Sequence, residues 1–295
     1  MKPAPFEFIA PNSMEEALDA LQHHAYDGKL LAGGQSLIPV MNYRLAQPGV
    51  IIDLNGVSEL ANITVGENKS IRVGAMVRQS QLEFSQIIAE KAPLVSEAVP
   101  YIAHSQIRNR GTIGGSLAHA DPAAELPVIM VTLGARFRLQ RRGGERWVGA
   151  ADFYESLFMT ALDADEILVE IEIPPMLANS GYAFAELARR RGDYAQVGVA
   201  ATLTVDENNY CRAARLVFLN VGDIPMVAAE AAKILVGEKL TPDILASAAE
   251  QASKQEIDPV GDIHASSAYK RHLAAVLGRR TLQKAFQRAV SRTQL

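Results

Sequence analysis

Two glycine pairs in similar chemical settings constrain this chain more than any other feature. The first lies within Leu31–Leu37 and the second within Arg108–Pro122. Glycine allows close approach of the backbone to a bulky group, and freed N–H groups and the hydroxyls of Thr112 and Ser116 can receive an anion such as a pyrophosphate. A plain turn is the alternative for each pair. Together, the two pairs predict two loops that enclose one long, phosphate-bearing ligand.

Composition narrows the class of protein. A chain of 295 residues that is 48% hydrophobic and 21% charged can bury a sizeable core, in two or three domains. The formal net charge of -4 and the lack of an aromatic-plus-basic signature disfavour nucleic-acid binding. One cysteine, Cys211, excludes a disulfide framework and any iron–sulfur cluster ligated by this chain alone. No apolar run has the length of a membrane span and no signal peptide is evident, so a cytoplasmic protein without membrane insertion is expected.

The first third predicts a compact α/β unit with a parallel sheet. Ser13 and Glu16 form a capping-box pattern at the start of a helix. Short apolar runs over residues 30–32 and 50–54 indicate buried strands, with a helical segment over 37–44 between them. The first glycine pair therefore follows the carboxyl end of a strand, where open α/β sheets bind ligands.

The middle third predicts mixed elements. A clean alternation over 167–173 indicates a half-exposed strand before a possible domain boundary at Pro174 and Pro175. The other elements are a hairpin over 63–75, helices over 79–88, 92–102 and 125–133, the last stopped by Gly134, and a hairpin over 135–148.

The last third predicts three strands followed by three helices. The strands are expected over 181–187, 198–206 and 211–222, and the helices over 226–235, 241–253 and 267–289. The final helix carries seven basic residues, which indicates a solvated face or, alternatively, a surface that docks an acidic partner. These residues are Lys270, Arg271, Arg279, Arg280, Lys284, Arg288 and Arg292.

The remaining motifs exclude several kinds of binding site and assign no catalytic residue. Neither a dinucleotide-binding Gly-x-Gly-x-x-Gly unit nor a nucleoside-triphosphate loop is present. His119 and Asp121 would share one side of an extended segment, but no third partner for a triad or metal site is identifiable. Cys211 is expected to be an inert core thiol. The segment Ala188–Ala195 is either a polar hairpin loop or a place where Tyr194 stacks on a planar ligand.

Four motifs together carry a family resemblance. Leu31–Leu37, Ile107–Ser116, Ala120–Glu125 and Arg191–Ala195 resemble the FAD-binding medium subunit of the molybdenum hydroxylases. That family includes xanthine dehydrogenase, carbon monoxide dehydrogenase and the bacterial N-heterocycle hydroxylases. The resemblance implies an α+β chain with a two-part, PCMH-type FAD-binding region: a small α/β subdomain over 1–56 and a larger mixed α/β subdomain over 57–176. A C-terminal domain over 177–295, resembling that of carbon monoxide dehydrogenase flavoprotein, would hold a three-stranded sheet and a helical bundle.

The resemblance also implies which residues bind FAD. The pyrophosphate would lie on Ala32–Ser36 and Thr112–Ser116, with His119 and Asp121 along the ribityl and phosphate portion. Leu168 would lie near the adenine and Tyr194 beside the isoalloxazine, whereas Glu186 stands where several relatives carry lysine. The full predicted set is Leu31, Ala32, Gly33, Gly34, Gln35, Ser36, Ala103, Thr112, Ile113, Gly114, Gly115, Ser116, His119, Asp121, Leu168, Glu186 and Tyr194.

The function implied is electron transfer within a heterotrimer, expected as a dimer of heterotrimers. A large subunit with molybdenum-pterin cytosine dinucleotide would oxidise the substrate, a small subunit with two [2Fe–2S] clusters would carry the electrons, and FAD in this chain would pass them to an external acceptor. No catalytic residue or metal site of this chain is implied. N-heterocycle hydroxylation is favoured, and the alternatives are a carbon monoxide dehydrogenase medium subunit, a self-contained FAD oxidase, or an assembly module without turnover.

Overall fold

The computed structural model describes residues 2–293. Its N-terminal unit is a three-stranded parallel sheet with strand order β1-β3-β2, as predicted. The Ser13 hydroxyl accepts the Glu16 N–H at 3.2 Å, and the Glu16 carboxylate in turn accepts the Asn12 N–H at 2.7 Å, which caps the first helix. The elements are β1 (Glu7–Ile9), α1 (Met14–His23), β2 (Gly28–Leu31), α2 (Leu37–Asn42) and β3 (Val50–Asp53).

The middle unit contains a five-stranded antiparallel sheet, with order β4-β5-β10-β6-β7, and a layer of short helices. Its strands are β4 (Ile63–Val65), β5 (Ile71–Gly74), β6 (Arg136–Arg141), β7 (Gly144–Gly149), β8 (Tyr154–Ser156), β9 (Met159–Thr160) and β10 (Ile167–Ile173), of which β8 and β9 form a separate hairpin. Its helices are α3 (Gln79–Phe84), α4 (Gln86–Lys91), α5 (Pro93–Ala98), α6 (Ser105–Arg108), α7 (Ile113–His119) and α8 (Glu125–Leu133).

The two helices predicted over 79–88 and 92–102 are shorter than expected. Ser85 is extended and interrupts the first, and its hydroxyl accepts the Ile88 N–H at 3.4 Å to begin α4. The second passes into a 3₁₀ turn and ends before Ala103, whose φ is +41°. The chain therefore turns sharply at Ala103.

The prediction that residues 167–173 form a half-exposed strand is wrong. Strand β10 is the central strand of its sheet, and the side chains on both faces are covered. The alternation arises because Glu170 and Glu172 are paired with arginines of neighbouring strands: Glu172 lies 3.0 Å from Arg136, and Glu170 lies 3.6 Å from Arg138. Charged residues can occupy a central strand when cations cover them.

The second glycine pair lies in a helix, contrary to the prediction of a loop. Gly114 and Gly115 belong to the first turn of α7, which the Thr112 hydroxyl caps. Helix α7 ends at Ala120, where φ is +52°. His119 and Asp121 are thus separated by a left-handed residue, and the expectation that they share one side of an extended segment is wrong.

The C-terminal unit contains a four-stranded antiparallel sheet, one strand more than predicted. The additional strand β14 uses Met226 and Val227, which were expected to begin a helix but pair instead with Phe218 and Val217. The elements are β11 (Ser180–Ala188), β12 (Ala195–Val205), β13 (Cys211–Leu219), β14 (Met226–Val227), α9 (Ala229–Leu235), α10 (Pro242–Gln251) and α11 (Ser267–Thr293). Helix α11 lies across β11 and β12.

Most basic residues of α11 do not form a solvated face. Lys270 is 3% exposed and lies 2.8 Å from Asp262. Lys284 and Arg288 both pair with Glu97 of α5, so they join the C-terminal unit to the middle unit. Arg279 and Arg280 are exposed as predicted. None of the helices in residues 2–293 has the length and apolar character needed to cross a membrane.

Gly134, which was predicted to stop a helix, ends α8 with φ of +66°. We expect Gly134→Ala to lower the free energy of unfolding by about 1–2 kcal/mol, because a side chain destabilises the left-handed conformation. Denaturant unfolding of the full chain measures this change. Gly144→Ala is the control, since a Cβ there meets nothing within 4 Å; equal losses in both variants would contradict the expectation.

Candidate functional site

The first glycine segment, residues Ala32–Ser36, follows the carboxyl end of β2. Gly34 has φ of +73°, and within residues 2–293 the main-chain N–H groups of residues 33–36 donate no hydrogen bond. Consecutive free N–H groups in such a turn form an anion-binding concavity. The segment borders a cavity of about 400 Å³. This cavity is lined by Leu31, Ala32, Gly33, Gly34, Gln35, Ile38, Pro39, Asp53, Asn55 and Arg110.

The second glycine segment, residues Thr112–Ser116, contacts the first. A Cβ built on Gly115 would lie 3.2 Å from the Cβ of Ala32 and 2.7 Å from the Thr112 Oγ1. A Cβ on Gly33 would lie 2.7 Å from the Cα of Gly111. The structure therefore brings the two glycine pairs together, and glycine is required there because a side chain would separate them.

The N–H groups of the second glycine segment are not free, contrary to expectation. The N–H of Ile113 donates to the Val77 carbonyl at 3.0 Å, and that of Gly114 donates to the Ala75 carbonyl at 2.8 Å. The Gly115 N–H donates to the Thr112 Oγ1 at 3.1 Å. Free main-chain donors for an anion are thus supplied by the first segment, while the second supplies a close glycine surface. Thr112 is 2% exposed and its hydroxyl caps α7, and a role of the Ser116 hydroxyl stays a prediction.

Two arginines surround the first glycine segment, and the sequence analysis assigned neither. Arg78 donates to the Asn55 Oδ1 at 2.6 Å and to the Arg110 carbonyl. Asn55 in turn donates to the Ala32 carbonyl at 3.0 Å, so this chain of hydrogen bonds fixes the segment. Burial, followed by the charge of Arg110, lowers the pKa of Arg78, whereas Asp53 acts in the opposite direction. Two neighbouring guanidinium groups favour an anionic ligand.

A second group of predicted site residues lies at the turn at Ala103 and in the loop before β12. A Cβ on Gly192, whose φ is +87°, would lie 2.8 Å from the His104 Nδ1 and 2.9 Å from the Ala103 carbonyl oxygen. The largely buried Arg108 donates to that carbonyl at 3.3 Å. The loop that carries Tyr194 therefore lies directly on the Ala103 turn, and Tyr194 itself is 72% exposed.

Acidic side chains gather near this second group. Burial and then Asp121 raise the pKa of Glu125 to about 7, and burial and then Glu125 raise that of Glu186 to about 8. Partial desolvation, followed by the charges of Asp121 and Glu125, also raises the pKa of Tyr194, although most of its surface is exposed. The structure thus brings Asp121, Glu186 and Tyr194 together. It adds Glu125, which belongs to the motif Ala120–Glu125 but is not among the predicted site residues.

His119 is the last residue of α7, which begins at the second glycine segment and ends before Asp121. Burial lowers the pKa of His119, although Asp121 acts in the opposite direction. Its ring centroid lies 5.2 Å from that of Phe158 in the β8–β9 hairpin.

Two predicted site residues belong to the hydrophobic core. Leu168 is 5% exposed and Ile113 is fully buried. Their assignment to a ligand stays a prediction. Cys211 is buried, and burial raises the pKa of its thiol to about 11, which confirms the expected inert thiol. In residues 2–293, no group of three His, Cys, Asp or Glu side chains is placed to hold a metal ion.

The fold and site define the class first: a mixed α/β chain in which two glycine segments pack together and the first offers free main-chain donors, beside two arginines, to an anion. The comparisons with known proteins specify it. Residues 4–176 match the family model "FAD binding domain in molybdopterin dehydrogenase". Residues 182–285 match "CO dehydrogenase flavoprotein C-terminal domain".

Individual relatives span nearly the whole chain. The 6-hydroxypseudooxynicotine dehydrogenase complex subunit alpha of Paenarthrobacter nicotinovorans is 42% identical over 98% of this chain and 97% of its own length. The carbon monoxide dehydrogenase medium chain of Afipia carboxidovorans is 37% identical over 98% of this chain and 99% of its own length. The crystal structure of quinoline 2-oxidoreductase from Pseudomonas putida 86 superposes with a TM-score of 0.93, at 38% identity, covering 98% and 100%. The chain belongs to the FAD-binding medium subunits of the molybdenum hydroxylases.

The site fits FAD in its chemistry. The free N–H groups of residues 33–36 and the neighbouring Arg78 and Arg110 suit a diphosphate. The glycine surface at Gly33 and Gly115 leaves no room for a side chain, and Tyr194 offers an exposed ring.

Proposed function

We propose that this chain holds FAD between an iron–sulfur small subunit and an external electron acceptor, within a molybdenum hydroxylase assembled as a cytoplasmic dimer of heterotrimers. Molybdenum-pterin cytosine dinucleotide and two [2Fe–2S] clusters would belong to the partner subunits. The FAD-binding subdomains would span residues 1–56 and 57–176, and residues 177–295 would form the C-terminal domain. Relatives named as a complex subunit or a medium chain support the assembly.

The observation that carries the proposal is the set of free N–H groups at residues 33–36 beside Arg78 and Arg110. A diphosphate bound there would satisfy donors that the fold leaves open and would neutralise two cations. The hydrogen bonds from Arg78 to Asn55 and from Asn55 to Ala32 hold the donors in place before the ligand arrives. Preorganised donors reduce the cost of ordering the segment on binding.

The residues of this chain bind and orient; they do not transfer protons to a substrate. Bound FAD supplies the redox chemistry by accepting and releasing electrons. His119 and Asp121 would line the central part of the cofactor, and Tyr194, with Ala103 and Glu186, would border its ring end. Leu168 and Ile113 would support the site from the core.

The substrate class proposed for the complex is N-heterocyclic. The support is the relative named for 6-hydroxypseudooxynicotine, at 42% identity, and the solved structure named for quinoline, at 38%. The medium chain of carbon monoxide dehydrogenase, at 37% identity, supports carbon monoxide as the second candidate. The substrate pocket would lie in the large subunit in either case.

A comparison of the purified complex with the full chain alone distinguishes an electron-transfer subunit from a self-contained oxidase. We expect the complex to reduce its flavin when a substrate of the large subunit is added under anaerobic conditions. The chain alone should carry FAD but show no flavin bleaching with the same substrate. Turnover of substrate by the chain alone would favour an oxidase, and a complex that transfers electrons without flavin in this chain would favour an assembly module.

A further inference from the structure

A second cavity, of about 290 Å³, lies where α1 meets the five-stranded sheet of the middle unit. It shares no residue with the cavity beside the first glycine segment. Four of the five strands contribute to its wall, and the sequence analysis assigned none of its residues to a site. Its ionisable and amide side chains include Glu59, Asn62, Arg72, Arg138, Gln140 and Glu170.

The wall of this cavity carries a carboxylate with an unpaired oxygen. The Glu170 side chain is only 17% exposed, and its Oε1 atom is buried without a hydrogen-bond partner among residues 2–293. Two arginines approach the carboxylate from beyond hydrogen-bond range: the Arg72 Nε lies 4.0 Å from it, and the Arg138 Nη2 lies 3.6 Å from it. The carboxylate is therefore held by charge but keeps its capacity to accept hydrogen bonds.

The same wall carries an unpaired donor. Arg138 lies directly opposite Glu170 in the pairing of β6 with β10, so both side chains are on one face of the sheet. Its Nη1 lies 3.1 Å from Glu145, whereas its Nε is buried and has no hydrogen-bond partner in the part of the chain that the structure describes. An unpaired donor and an unpaired acceptor thus come from directly opposed residues of two neighbouring strands.

The charges that line the cavity balance each other. Arg72 and Arg138 are positive, and Glu59 and Glu170 are negative. The Glu59 carboxylate also accepts the Met14 N–H at 3.3 Å. A neutral polar molecule therefore suits the cavity better than an ion, because an ion would leave one charge unbalanced.

A cyclic amide matches the unpaired donor and acceptor. It presents an N–H and a carbonyl side by side on one rigid edge, so its N–H can donate to Glu170 while its carbonyl accepts from the Arg138 Nε. Water can satisfy each atom singly, but the amide satisfies both and has no flexible chain to order on binding. The volume is near the lower limit of about 300 Å³ for small-molecule sites, so the ligand must be small.

We propose that this cavity is a binding site for a small, neutral cyclic amide, held by the Glu170 carboxylate and the Arg138 guanidinium. The site lies between α1 and the five-stranded sheet and uses none of the residues proposed to bind FAD. Its occupation does not depend on FAD, so its test can fail or succeed independently of the proposed function.

The first test compares two probes on the wild-type full chain by isothermal titration calorimetry. We expect 2-pyridone, a cyclic amide, to bind with a dissociation constant below about 1 mM. N-methyl-2-pyridone has the same ring and carbonyl but no N–H, and it should bind at least about tenfold more weakly because a methyl group would then face the Glu170 carboxylate. No saturable binding of 2-pyridone, or equal binding of the two probes, would overturn the proposal.

The second test locates the bound probe. Glu170→Gln keeps the size of the side chain but removes its charge, and it should weaken 2-pyridone binding about fivefold, since hydrogen bonds to an ionised acceptor are roughly twice as strong as neutral ones. Glu145→Gln is the matched control, because Glu145 pairs with Arg138 but does not line the cavity. The control should change binding less than about twofold, and equal losses in both variants would overturn the proposal.

Backbone NMR of the wild type provides a measurement that needs no variant. Addition of 2-pyridone should shift the amide signals of Thr64 and Gln140, which line the cavity. Shifts confined to the first glycine segment would overturn the proposal. This measurement decides the matter if Glu170→Gln does not fold.

Discussion

Gly33→Val is expected to yield a subunit without FAD, with a dissociation constant raised at least about a hundredfold, equivalent to about 2.8 kcal/mol. A side chain at Gly33 would press on the Arg110 carbonyl and on the Gly111 Cα, 2.7 Å from the new Cβ. The two glycine segments would move apart, and the free N–H groups of residues 33–36 would lose their arrangement. Flavin absorbance per protein chain measures the effect.

A substitution at Gly33 tests diphosphate binding more specifically than a substitution at Gly114. A Cβ on Gly114 would lie 2.7 Å from the Ala75 carbonyl oxygen, which accepts the Gly114 N–H, so that substitution would also disturb the packing of α7. Gly144→Ala, with no neighbour within 4 Å, should retain full flavin. Full flavin absorbance in a folded Gly33→Val protein, checked by circular dichroism, would mean that the first glycine segment does not bind the diphosphate.

Glu97→Ala is expected to lower the free energy of unfolding by about 2–3 kcal/mol. The Glu97 carboxylate, only 15% exposed, pairs with Lys284 at 2.8 Å and with Arg288, and accepts the Phe184 N–H at 3.2 Å. Its removal takes away the acceptor of the Lys284 ammonium and of the Phe184 N–H, while Arg288 keeps the Tyr182 carbonyl. The loss is below that of a fully buried pair because Lys284 is half exposed. Denaturant unfolding provides the measurement.

The stabilisation that Glu97 provides is expected to disappear at acidic pH. Burial alone would raise the pKa of Glu97, but the hydrogen bonds from Lys284, Arg288 and Phe184 lower it below the usual value of 4.5. The unfolded state therefore binds the proton more readily, and the stabilisation is present above pH 4.5 and lost as the pH falls through the folded pKa. Glu250→Gln, which breaks the exposed pair with Lys254, should have no measurable effect. A Glu97→Ala protein as stable as the wild type at pH 7 would contradict this account.

The sequence predicts helix ends well where the residues that cause them are neighbours in the chain. Ser13 with Glu16, and Gly134 after an apolar run, mark helix ends that the structure confirms. The wrong predictions concern residues whose exposure or pairing depends on contacts with distant parts of the chain. The exposure of β10 depends on arginines from other strands, and Met226 joins a sheet because β13 presents an open edge.

The candidate site is partly predictable for the same reason. The matching chemistry of the two glycine segments predicts that they serve one ligand, and the structure brings them into contact; the ligand itself stays a prediction. Arg78 and Asn55 carry no local signal, because they reach the site only through hydrogen bonds over 23 or more positions of sequence. The engaged N–H groups of Ile113 and Gly114 could not be foreseen either, since their acceptors lie on the chain after β5.

The central claim is that FAD in this chain is the exit for electrons from the complex. The most direct measurement is anaerobic single turnover of the heterotrimer that contains either wild-type or Gly33→Val subunit, followed at the absorbance of the iron–sulfur clusters and of an external acceptor. We expect substrate to reduce the clusters in both complexes, but the acceptor only in the wild type. Undiminished reduction of the acceptor by the flavin-free complex would contradict the claim.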